Sequence, residues 1–221
     1  MRWGLFTFMG TDNVPIDKVP CGSGIINTDK FLINTHLNSP NLRERLSALV
    51  HSGNGQSWWR PDLFSNIRPQ LPSEIEIVEP PQKSNQYNCF LFALALHQDR
   101  QIIDDSGGFV YSSLVMELIL RGELEIRKAP AVGNIVLYRN VKENPLEFTH
   151  AAILVGPARA LSKWSWGPLI RHGVLDVPDF YGDDLVYTAP MSSVRAQQLY
   201  WKFRGANLLS PDVIRAKNER T

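Results

Sequence analysis

The chain has 221 residues, room for one full domain with a substantial elaboration, and its 43% hydrophobic content supplies one sizeable core. Twenty-three basic and 22 acidic side chains leave a formal net charge of +1. No basic run stands out, so a nucleic-acid partner is not expected.

Two cysteines, Cys21 and Cys89, make no disulfide framework. Residues 5–9 are the only apolar stretch near the start, beside the single basic Arg2. That is too short for a secretory signal or a membrane span. The cytoplasm and export without a cleaved signal both stay open.

Residues 1–75 read as an irregular N-terminal elaboration, with candidate strands at residues 3–9 and around 31–33. Ser39-Pro40 is a helix start, because Ser39 can cap and Pro40 lacks an amide where none is needed. Leu42, Leu46 and Leu49 then lay one apolar stripe to about residue 50. Residues 53–72 are turn-rich and aromatic, with Trp58, Trp59, Phe64 and Ile67. They read as a cover over the core, with a binding groove as the alternative.

Residues 76–221 read as the main core with C-terminal helices. Ile75, Ile77 and Val78 suggest a short strand that Pro80-Pro81 breaks. Asn85 or Asn88 can cap a helix over about 89–98, and a second helix is predicted from Ser112 or Ser113 to Arg121. Strands are predicted over 124–127, 134–138, 149–155, 160–164 and 184–188, then helices over 192–203 and 210–218. Segregated helices and strands give an α+β class with a mainly antiparallel sheet.

Cys89 opens the apolar run Cys89-Phe90-Leu91-Phe92-Ala93-Leu94-Ala95-Leu96, and His150 heads a strand-like run far along the chain. Cysteine attacks as a thiolate, which helix N-terminal amides stabilise. An imidazole can take the thiol proton and return it to a leaving group. Only the fold can bring the two together. From the residues alone, the competing reading makes Cys89 a small buried core residue and His150 a hydrogen-bonded strand end.

Asn88-Cys89 at a helix start, then Gly133-Asn134-Ile135-Val136-Leu137-Tyr138 and Thr149-His150-Ala151-Ala152-Ile153-Leu154-Val155-Gly156, resembles the papain-like cell-wall amidases and peptidases. These include the NlpC-type endopeptidases and the cysteine–histidine-dependent amidohydrolase/peptidase domains. The likeness covers roughly residues 85–190. Asn134 stands where those proteins commonly carry aspartate. Tyr87-Asn88-Cys89, Thr149-His150-Ala151 and the block from Ser162-Lys163 to Gly167 also resemble uncharacterised domains that point to no substrate.

The resemblance implies a papain-like core, with the cysteine-bearing helix packed against an antiparallel sheet. Cys89 is then the nucleophile and His150 the base. A polar residue orients the imidazole, and His172, Asp176 and Ser162 are the candidates. The Cys89 amide plus Gln86, or less readily Gln82, Tyr87 or Asn88, would form an oxyanion site. Tyr87, Asn88, Ser162, Lys163, Trp164 and Trp166 are candidate substrate contacts. Trp164 and Trp166 equally read as one packed face of a strand, and Arg171 as the partner of a local carboxylate.

The implied activity is hydrolysis of an amide or peptide bond, with a peptide, protein or peptidoglycan substrate. Deamidation or acyl transfer would use the same machinery. A toxin's setting would suit it, although no transport, immunity-partner or wall-binding signature marks the chain. His36, His51 and His97 lack zinc-site spacing, and no phosphate-binding loop is present, so neither metal nor cofactor is expected. The alternative is a catalytically inactive papain-like module that binds a protein partner through Trp58-Trp59 and Trp164-Trp166. A sulfur near the imidazole at an open cleft favours the hydrolase; a sealed or remote sulfur favours the module.

Overall fold

The computed structural model describes residues 40–51, 56–145 and 147–207. Seven strands run through it: β1 (Glu76–Glu79), β2 (Ile126–Arg127), β3 (Ile135–Arg139), β4 (Phe148–Gly156), β5 (Arg159–Lys163), β6 (Leu169–Gly173) and β7 (Asp184–Thr188). They form one sheet in the order β1-β6-β5-β4-β3-β7-β2, and every neighbouring pair is antiparallel. This is the mixed α+β class expected from the sequence.

Side chains alternate across a strand, so residue parity sorts the two faces of the sheet. Ile135, Leu137 and Ala151 face α4 (Cys89–Ala93), α5 (Arg100–Ser106), α6 (Ser112–Leu120) and α7 (Ser193–Asn207). Val136, Tyr138, Ala152, Leu154, Ala160 and Ile170 face Leu46 of α1 (Pro40–His51), Trp58 of α2 (Gln56–Trp59) and Phe64 and Ile67 of α3 (Pro61–Ile67). The sheet is the middle of three layers.

The stripe Leu42, Leu46, Leu49 docks α1 as its spacing predicts, with Leu46 fully buried. Residues 56–70 are helical and cover the sheet, so the aromatic segment is core cover at Trp58 and Phe64. Residues 40–51 and 56–75 thus share a core with the strands. The candidate strands at 3–9 and 31–33, the Ser39 cap and the helix over 210–218 lie outside the described residues.

The structure departs from the predicted elements in three places. The helix at Cys89 is a single turn, because Ala95 turns left-handed (φ 56°) and sends Leu96 into the core. A separate α5 follows, capped by Asp99, whose carboxylate accepts from the amides of Gln101 and Ile102. Residues 169–173 are strand β6, in a stretch for which the sequence predicts no strand. No helix among the described residues is long and apolar enough to cross a membrane.

Candidate functional site

Asn88 places Cys89. Its side-chain oxygen accepts from the amides of Leu91 (3.2 Å) and Val110 (3.4 Å), and its amide group donates to the Val110 carbonyl at 2.6 Å. That set caps α4 and fastens it to the loop before α6. Asn88 is only 2% exposed, so its side chain is committed to the fold and not offered to a substrate. Cys89 therefore occupies the first helical position, with α4 packed on β4 and β5.

The thiol is buried, with Cys89 6% exposed. Burial pushes its pKa up to about 12, while backbone amides of Ala151, Phe90 and Cys89 pull the other way. A five-residue helix carries little dipole. Desolvation wins, and the resting group is a thiol.

His150 pairs with Tyr138 across β3 and β4, two residues from Ala152, so its side chain belongs to the face opposite α4. It is fully buried, and neither Nδ1 nor Nε2 has a hydrogen-bond partner among the described residues. Cys89 and His150 are accordingly not hydrogen-bonded to each other. Leaving a buried polar atom unmatched costs about 1–3 kcal/mol. Burial, and then the charge of His172, hold the imidazole pKa well below its ordinary value.

Tyr181 packs on the imidazole. Its ring stacks on His150 with centroids 3.9 Å apart and planes 10° from parallel. Burial, and then the charge on Cys89, raise its hydroxyl well above the usual range, while the Ser165 amide opposes them. Tyr181 thus covers one face of the imidazole. Sequence reading missed it, and the Gly182 that follows, left-handed at φ 81°, was the one local signal of a tight turn there.

His172 lies on the same face as His150 but is occupied elsewhere. Its Nδ1–H donates to the Gly173 carbonyl at 2.7 Å, which leaves Nε2 to accept from the Ser162 hydroxyl at 2.8 Å. The Trp164 indole N–H donates to the same Ser162 oxygen at 2.9 Å. Burial brings the His172 pKa down to about 4. Asp176 sits in the turn after β6, its amide donating to the Gly173 carbonyl at 2.8 Å. Neither candidate orienter hydrogen-bonds to His150. Gln86 lies half-buried in the loop before α4, with its backbone oxygen against Gly108.

Lys163, buried on the α4 side, donates to the Gly167 carbonyl at 2.6 Å and lies 4.8 Å from the Tyr87 ring centroid. Burial lowers its pKa to about 8, against the pull of Glu79. Tyr87 in turn stacks on His97. β5 ends at Lys163 and Ser165 is left-handed, so Trp164 and Trp166 do not share a strand face. Trp164 is core, stacked 5.7 Å from Trp58, whereas the Trp166 indole donates to the Gly108 carbonyl at 3.3 Å. Arg171 pairs with Glu76 at 2.7 Å, the local carboxylate expected.

Among the described residues no group of three or more histidine, cysteine or acidic side chains could hold a metal ion. Comparison with protein-family models, with curated proteins and with solved structures finds no match to this chain.

Proposed function

We propose that the protein is a papain-like cysteine hydrolase of amide or peptide bonds, with its site closed in this structure. The observation that supports this reading is His150, a fully buried imidazole with both nitrogens unmatched, next to the Ala151 amide that faces the Cys89 sulfur. A position that served packing alone would gain nothing from such a ring.

For this reaction His150 must come round to the α4 side of the sheet, where the Cys89 thiol gives it its proton and the sulfur attacks the substrate carbonyl carbon. The carbonyl oxygen takes the negative charge, facing the Cys89 amide. Collapse breaks the C–N bond, His150 protonates the departing amine, and a thioester is left on Cys89. Water, deprotonated by His150, hydrolyses the thioester and restores the thiol. Peptidoglycan peptide linkages are the substrate class the sequence resemblance favours. An amine acceptor in place of water gives acyl transfer, and a side-chain carboxamide as substrate gives deamidation.

One observation favours a second reading, a catalytically inactive module that binds a protein partner. Cys89 is sealed, and its thiol is pushed up to about 12. Release of products from peptidoglycan fragments and peptide amides separates the two. Turnover that vanishes in Cys89→Ala and falls about a hundredfold or more in His150→Ala supports the hydrolase. Turnover that survives Cys89→Ala, or none on any amide, removes it.

A further inference from the structure

The two cores on either side of the sheet differ in what they bury. Both fully buried histidines among the described residues, His150 and His172, lie on the α1–α3 side. On the other side His97 is only half-buried, against Tyr87 and Phe92.

Each buried imidazole sits one aromatic ring below the helices. His172 meets Trp164 with centroids 5.7 Å apart, and Trp164 stacks on Trp58 of α2. His150 lies under Tyr181, whose turn is held by α1. There Arg43 donates to the Val177 and Gly182 carbonyls, the Ser47 hydroxyl donates to the Asp179 carboxylate, and His51 meets Phe180 edge-on.

A protonated imidazole carries two N–H donors. His150 has an acceptor for neither among the described residues, and His172 holds its Ser162 bond as an acceptor, the role that protonation removes. The ionisable groups on this side are Tyr138, Tyr187 and Arg159 from the strands, Tyr181, Asp176 and Asp179 from the turns after β6, and Arg43 and His51 from α1. The α2 and α3 helices bury Trp58, Phe64 and Ile67 there. None of them bonds to either nitrogen of His150. A positive charge on that ring is therefore expensive while the layer is closed.

The layer is also separable. Residues 40–51 and 56–70 precede β1, and no strand pairing uses them, so they can lift with the sheet ladder intact. The α4, α5 and α6 helices lie between β1 and β2 in the chain and are tied in at both ends.

We propose that the α1–α3 layer is an acid-released cover, with His150 and His172 as its sensor, and that the α4–α7 layer stays packed when it lifts. The switch needs no chemistry at Cys89. Closed, both rings are neutral, because burial holds them below their ordinary value. Released into water, they take up protons at about 6.5, so release is favoured as pH falls below that value. Each histidine adds up to about tenfold per pH unit, and for His172 the gain ends at about 4.

The test is peptide-resolved hydrogen exchange on the full chain at pH 7, 6, 5 and 4.5, with protection taken relative to the intrinsic rate at each pH. Wild type is compared with His172→Gln and with His150→Phe, which keeps a flat ring against Tyr181 and binds no proton. Protection over residues 40–51 and 56–70 should fall at least about tenfold per unit below pH 6, while α6, α7 and β3 keep theirs. Each variant should flatten that fall. Protection lost from both layers together overturns the cover, because acid then unfolds the whole chain. Wild-type steepness in both variants overturns the sensor. If His150→Phe does not fold, His172→Gln and the wild-type comparison of the two layers decide between the same outcomes.

Discussion

Tyr181 covers His150 face to face at 3.9 Å, and the ring beneath it has no hydrogen-bond partner for either nitrogen among the described residues. Stacking supplies the imidazole with dispersion but not with a proton acceptor or donor. The cost of the unmatched nitrogens is therefore carried by the surrounding packing. That burial governs how His150 titrates, as it does for Cys89.

Cys89 of the resting protein should alkylate slowly. With the thiol pushed up to about 12, almost none is ionised at pH 8. Mass-resolved iodoacetamide labelling should run at least about a hundredfold slower in native protein than in denaturant, where the pKa returns to about 8.5. A native profile with its midpoint at the ordinary thiol value would contradict the burial described.

The protein should lose stability in mild acid. His150 and His172 stay neutral in the fold at pH values where the unfolded chain already binds protons, because both pKa values are depressed. The stabilisation is complete above the unfolded value of about 6.5 and is lost as pH falls below it. For His172 the window runs down to about 4. Its contribution is on the order of 3 kcal/mol across that range. Urea unfolding at pH 7, 6, 5 and 4 should show stability falling with pH, and His172→Gln should flatten the slope. A parallel slope in that variant would assign the acid sensitivity elsewhere.

Lys163 should act at the alkaline end. Between about 8, where the native amine releases its proton, and about 10.5, where the unfolded one does, the unfolded chain holds more protons. Stability contributed by this group therefore rises with pH through that window and is flat below it. The Cys89 thiol, raised to about 12, works in the opposite sense over the same range, so Lys163→Met should make the stability read in urea titrations fall more steeply between pH 8 and 10 than in the wild type. A wild-type slope retained in the variant would show that the ammonium is better solvated than its burial suggests.

Asn88→Ala should cost about 2–3 kcal/mol, from a lost cap and two unmatched Val110 backbone groups. Asn88→Asp keeps the acceptor for Leu91 but loses the donor to the Val110 carbonyl, so it should recover only part of the loss. Chemical denaturation measures both. Full recovery by aspartate would mean that the tie to Val110 contributes nothing.

Much of this architecture was legible wherever apolar period and turn chemistry agreed. β7 matches its predicted span, and β3 and β4 lie within a residue of theirs, because Gly133 and Gly156 bracket branched and aromatic runs. The helix at Cys89 was read too long because an unbroken apolar run cannot reveal that Ala95 goes left-handed. Only the tertiary demand to bury Leu96 makes that choice. β6 was hidden because His172 and Arg171 look like loop residues, although His172 is buried through its bond to Ser162 and Arg171 pairs with Glu76 at the sheet's edge. At the site, Cys89 and His150 drew attention by residue type. Which way His150 points is set by parity with Tyr138, and Tyr181 arrives from a distant turn, so neither was readable locally.

The Trp58 and Trp164 rings stack at 5.7 Å with 24° between their planes, and the Trp58 indole donates to the Trp164 carbonyl at 3.0 Å. Two indoles held this way couple their electronic transitions, so the fold carries its own optical reporter of whether α2 sits on the sheet. Shortening the chain to begin at residue 76 would silence that signal and leave Ala152, Leu154 and Ile170 facing water. An apolar sheet face laid bare in this way promotes self-association. The helices of residues 40–51 and 56–70 are therefore part of what keeps that face covered, and not an appendage that can be trimmed away.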